Sequence, residues 1–156
     1  ELGNSEFELN IIDNLNELPH FQTELTDVNV PEKIIKFRNK ILEADGIIIS
    51  SPEYIFSIPS RLKNAIEWCV STTVFSDKPI CIITASASGE KGHEELKLIM
   101  KTVQSIVTDK TTLLIGGAKG KIDKEGNLLD KELEMEINKL IKSFSGLIQS
   151  RKNTLN

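Results

Sequence analysis

Two short stretches of this chain carry residue types and spacings that could do chemistry. Pro52-Glu53-Tyr54-Ile55-Phe56-Ser57 and Ser86-Ala87-Ser88-Gly89-Glu90-Lys91-Gly92 each follow an apolar, β-branched run, and each leads toward a helix start. Such loops present backbone N–H groups beside a helix N-terminus, where polar or anionic groups are held without charged side chains. Tyr54 and Phe56 add flat apolar surface. Together they outline a site for a planar ring with polar edges. The competing reading is that Pro, Ser and Gly simply make the turns. Glu53 has two readings, an acid–base group or a cap on a nearby backbone N–H, and a place at a strand end favours the cap.

Other chemistries find no residues to carry them. His20 and His93 have no Cys or second His at zinc-ligand spacing. There is no GxSxG elbow, no Walker lysine loop and no GxGxxG. Gly116-Gly117-Ala118-Lys119-Gly120 is glycine-rich but lacks phosphate-loop spacing, and reads as a flexible turn. Lys63 reads as a solvated or subunit-facing cation and Trp68 as packing. No catalytic side chain and no metal ligand is singled out.

The elements that must position these loops follow from periodicity. Gly46–Ser51 is an apolar run without alternation, the pattern of a strand buried on both faces. Ser57 is placed to cap a helix opening at Ile58-Pro59 and running to about Val70, with Leu62, Ala65, Ile66 and Cys69 on one stripe. Ile80–Ala85 predicts a second buried strand and Thr111–Ile115 a third, closed by Gly116-Gly117. Between them, Leu96, Ile99, Met100, Val103 and Ile106 predict a helix from about His93 to Val107. Phe7–Ile12 alternates and predicts an edge strand. A long connection, with Leu15, Leu18 and Phe21 pinning it to the core, leads to a helix opened by Pro31. Glu125-Gly126-Asn127 predicts a turn. Leu133, Ile137, Leu140, Ile141, Phe144, Leu147 and Ile148 predict a final helix from about Asp130 to Gln149. The expected organisation is one domain over residues 1–150 with a fraying tail at 151–156. The β–α alternation predicts an α/β fold with a parallel sheet, four strands and helices on both faces.

Composition agrees with one globular domain: 156 residues, 39% hydrophobic and 27% charged. A net charge of −4 gives no basic footprint for nucleic acid or an anionic membrane. The apolar runs fall well short of the roughly 20 residues a membrane helix needs, and the start shows no signal-peptide pattern. Cys69 and Cys81 are too few for a disulfide scaffold and sit in apolar contexts, which predicts buried free thiols and a cytoplasmic setting.

The segment from Ala44 to Trp68 resembles the signature of the NADPH-dependent FMN reductase family. It carries Pro52-Glu53-Tyr54, Ser57-Ile58-Pro59, Leu62-Lys63-Asn64-Ala65 and Glu67-Trp68. The resemblance covers roughly Phe7 to Gln149. It implies a flavodoxin-like fold with strand order 2-1-3-4-5, bound FMN, and hydride transfer from NADPH or NADH to the flavin and on to a quinone, azo, flavin or similar acceptor. It implies that Pro52, Glu53, Tyr54, Ile55 and Phe56 line the isoalloxazine ring, that Ser86, Ala87, Ser88 and Gly89 approach its other polar edge, and that the Ser60–Val70 helix forms a homodimer or homotetramer.

Three features depart from the family pattern. Ile55 stands where Asn is usual, and Ser60 near a usual Gly. Nothing matches the family's first strand and phosphate loop, which should lie upstream of Phe7. A sheet without that strand exposes long edges, so the resemblance implies roughly 30–50 further N-terminal residues, about one βα unit. The alternative reading is a non-catalytic or truncated flavodoxin-like module that dimerises without retaining FMN. An electron-carrier flavodoxin is weaker, because such carriers are more acidic.

Overall fold

The computed structural model describes residues 7–123, 125 and 127–155. Its centre is a parallel sheet of three strands, β1 (Ile47–Ser51), β2 (Ile80–Ser86) and β3 (Thr112–Gly116), in the order β1-β2-β3. Ile49 pairs with Ile82, and Thr84 with Leu114. Helices α1 (Glu32–Glu43), α2 (Ser60–Glu67), α3 (Glu90–Thr102) and α4 (Lys131–Leu155) complete the architecture.

Each face of the sheet has its own core. Ile80 and Ile82 of β2 point one way, onto a cluster with Ile41 of α1, Ile66 and Cys69 at α2, and Leu96 and Met100 of α3. The alternate residue Cys81 faces Leu140, Phe144 and Ile148 of α4. The period-two pleat of β2 thus supplies both cores, because a parallel sheet needs cover on both faces. Cys69 and Cys81 are both buried free thiols, and burial pushes each up to about 12.

Phe7–Ile12 does not form the expected strand. Among the described residues the sheet has three strands, and this segment is irregular. Phe7 instead packs its ring 5.6 Å from that of Phe144. With Leu9, Ile83 and Ile137 it lines a groove of about 150 Å³ between the sheet and α4. Alternation marks a two-faced segment, but a strand also needs a ladder partner. Nor is β1 buried on both faces. Ile49 and Ser51 are buried, whereas Ile48 and Ser50 on the other face are exposed. That face borders the same groove.

Helix ends differ from the periodicity in ways that have local causes. α2 begins after Pro59, not at a Ser57 cap, and the chain turns out of it at Trp68. α3 starts three residues early, at Glu90, and ends at Thr102, not Val107. Gln104 adopts φ 63°, and the Ser105 N–H donates to the Met100 carbonyl at 3.0 Å, closing the helix. Val103 continues the apolar pattern beyond the helix because it packs on the same core, as does Val107. α4 runs to Leu155 rather than stopping near Gln149, so residues 151–155 are helical where fraying was expected. Its start is capped by Asp130, whose carboxylate accepts from the N–H groups of Glu132 and Leu133. Those two bonds, the Leu133 one foremost, hold the Asp130 carboxyl below the usual range. The turn predicted at 125–127 includes residue 126, which lies outside the described residues, as do residues 1–6 of the domain.

Candidate functional site

All three strands run parallel, so their carboxyl ends share one edge of the sheet. Both predicted loops therefore emerge there, where ligands bind in open α/β sheets. Pro52 and Glu53 leave β1 half-buried, and Tyr54, Ile55 and Phe56 are exposed. Reciprocal bonds close the tip: Tyr54 N–H donates to the Ser57 carbonyl (2.9 Å) and Ser57 N–H to the Tyr54 carbonyl (3.0 Å). The two central residues both take positive φ, 52° at Ile55 and 58° at Phe56. This is the two-residue turn that favours Asn-Gly, built here from a β-branched and an aromatic residue. Ile55 is 95% exposed, so no packing rewards the strain.

The second loop is shorter than expected. Ser86 ends β2, Ala87 and Ser88 are exposed, and Gly89 sits at φ 91° before α3. That backbone angle favours glycine, and a Cβ there would also lie 2.8 Å from Leu114 Cδ1, so that methyl would have to move. The third strand's end joins the same edge, as Gly117 N–H donates to the Ala87 carbonyl at 3.2 Å. The glycine-rich run after β3 is therefore part of the rim, a role its spacing alone did not indicate.

Glu53 ties the first loop to the second. Its Oε2 accepts from the Gly92 N–H at 2.8 Å and its Oε1 from the Gly89 N–H at 3.3 Å. The carboxylate thus caps the N-terminus of α3, which is why that helix can start at Glu90 with no capping side chain of its own. Glu95, not singled out by sequence, answers from α3. Its Oε2 accepts from Ser57 Oγ (2.7 Å) and Ile58 N–H (3.1 Å). Both links join residues about forty positions apart, so no local motif could signal them. After these bonds, the N–H groups of Ile55, Phe56 and Ser88 remain outside the hydrogen bonds among the described residues.

Below the second loop, buried Thr84 and His93 are hydrogen-bonded at 2.8 Å through Oγ1 and Nδ1. Burial lowers the His93 pKa, and Lys97 lowers it further, against a smaller opposing effect of Glu94. On α2, Asn64 and Trp68 are structural. Asn64 accepts from Phe21 N–H (2.8 Å), and its amide and the Trp68 indole both donate to the Pro19 carbonyl (3.0 and 2.8 Å). The signature residues of this helix thus anchor the Pro19–Phe21 strap.

An open parallel α/β sheet with a loop site at its carboxyl edge defines the class. The chain belongs to the NADPH-dependent FMN reductase family, whose model matches residues 1–120. It is 34% identical over 137 residues to an NADPH:quinone oxidoreductase of Arabidopsis thaliana, covering 83% of this chain and 69% of that protein. It is 35% identical over 141 residues to NADH-dependent flavin reductase subunit 2 of Lactobacillus johnsonii, covering 81% of this chain and 75% of that protein. Its fold is similar to that of the flavoenzyme NAD(P)H:(acceptor) oxidoreductase FerB of Paracoccus denitrificans, with a TM-score of 0.82 at 20% identity over 96% of this chain and 84% of that one. No described helix is long and apolar enough to cross a membrane.

Proposed function

We propose that this chain is an FMN-dependent oxidoreductase that takes a hydride from NADPH or NADH and passes electrons to a small planar acceptor such as a quinone. The observation that carries the reading is the convergence of the Tyr54 turn and the Ala87–Gly89 loop on one edge of the sheet, tied by Glu53. The residues there suit an isoalloxazine ring. Tyr54 and Phe56 offer exposed flat surface, and the free N–H groups of Ile55, Phe56 and Ser88 suit its carbonyl oxygens and ring nitrogen. In this reading Pro52, Glu53, Tyr54, Ile55 and Phe56 hold one side of the ring, and Ser86, Ala87, Ser88 and Gly89 the other. No described residue is assigned to the phosphate.

When bound, the flavin supplies the hydride-accepting chemistry. The chain's part is to fix the ring between two tips and set donors where negative charge develops, which lowers the barrier without reorganisation. No side chain need hold a proton for hydride transfer itself. Glu53 is occupied with the α3 N-terminus, so its role is to orient the loops. The quinone choice rests on the named relatives, and assembly through the outer side of α2 as a homodimer or homotetramer belongs to the same reading.

The test is an absorbance spectrum of the full chain after FMN loading and dialysis, with NADPH oxidation measured on the same sample. Retained flavin absorbance and quinone-dependent NADPH oxidation are expected. A colourless protein after dialysis, silent toward NADPH, would favour the non-catalytic module.

A further inference from the structure

We propose that Glu53 and Glu95 form a reciprocal carboxylate clasp that sets the spacing of the two strand-tip loops, making both positioning residues for the planar ligand of that edge. The proposal rests on the flavin reading for its ligand and on geometry alone for the clasp.

The arrangement is symmetric in logic. Glu53, from the loop after β1, accepts from Gly89 and Gly92 at the start of α3. Glu95, from the second turn of α3, accepts from Ser57 and Ile58 in the loop before α2. The first loop thus supplies a carboxylate to the start of α3, and α3 supplies one back to the far end of that loop, through the Ser57 hydroxyl and the Ile58 N–H; each link is charge-assisted. Packing holds the two sides at contact. A Cβ on Gly92 would lie 3.2 Å from both Glu53 Cβ and Cγ and 3.2 Å from the Ser57 carbonyl oxygen. The exposed N–H groups of the Tyr54 turn and of Ser88 flank this junction, so the distance between them is governed by the clasp. Opening either half lets α3's first turn separate from the turn at Tyr54, and a flat ligand bridging both tips loses one wall.

The test uses the full chain with Glu53→Gln, Glu95→Gln and the double variant. Gly46→Ala serves as a control, destabilising from the opposite end of β1 where a Cβ meets Phe144 Cζ at 2.7 Å. Amide hydrogen exchange of the apoprotein reads the clasp. FMN titration by fluorescence and visible circular dichroism of the saturated flavin read its consequence. Exchange at Gly89 and Gly92 is expected to rise about tenfold in Glu53→Gln, and at Ile58 in Glu95→Gln, as a charge-assisted bond is lost. The FMN Kd should rise about tenfold in each, the flavin dichroism should change, and the double variant should fall short of the product of the singles, because either loss opens the same clasp. Unchanged exchange overturns the clasp. Raised exchange with unchanged Kd, or a Gly46→Ala Kd as high as that of Glu53→Gln, overturns its positioning role. A wild-type chain that binds no FMN overturns the flavin reading instead, and the exchange arm then decides the clasp by itself.

Discussion

Ile55 holds a backbone angle that costs an L-residue about 1–2 kcal/mol, and its side chain is 95% exposed. Asn reaches the left-handed region more easily because its short amide bonds locally to the backbone. Ile55→Asn should therefore stabilise the apoprotein by about 1 kcal/mol, read as a higher urea midpoint at unchanged slope. An unmoved midpoint would mean that the isoleucine makes a compensating contact or that the turn relaxes. Phe56 shares the strain, with φ 58°. The turn at the site rim therefore carries two adjacent strained apolar residues.

The strap before α1 is held at the level of elements. The Pro19–Phe21 segment has no ladder of its own; Asn64 and Trp68 of the α2 region supply its partners, and Phe21 sets its ring edge-on to Trp68 at 5.4 Å. Asn64→Ala removes an acceptor and a donor together and should cost about 1–3 kcal/mol. Limited proteolysis should then cut within residues 13–29 faster than in the parent chain, while α3 and α4 stay protected. Equal cutting rates would show that Trp68 and Phe21 suffice to hold the strap. Arg38 adds a second anchor from α1, donating to the carbonyls of Thr26 and Trp68. Lys78 likewise donates to the Leu42 and Ala44 carbonyls at the end of α1, at 2.9 and 2.6 Å.

The whole molecule's acid stability should depend on His93. Its folded pKa lies below the ordinary 6.5 because burial, then Lys97, disfavour the charged ring. As pH falls below 6.5 the unfolded chain takes up this proton before the folded one does, so stability declines from there down to the lowered folded value. Thermal melts from pH 7.5 to 5.5 should show a falling Tm in the parent and a flatter profile in His93→Gln. Parallel profiles would assign the decline to other groups. How much of this molecule was legible in the sequence follows from the same distinction between local and distant contacts. The sequence by itself determined the strand–helix alternation, the apolar stripes of α1, α2 and α4, the family, and the two loops, since each is written in residues a few positions apart. Only the tertiary structure decided that Phe7 packs on Phe144 while its segment stays out of the sheet, that α3 begins at Glu90, and that Glu53 caps α3 while Glu95 of α3 holds the loop before α2. Those outcomes depend on partners about forty or more residues away, and a hydrogen bond over that separation leaves no periodicity to read.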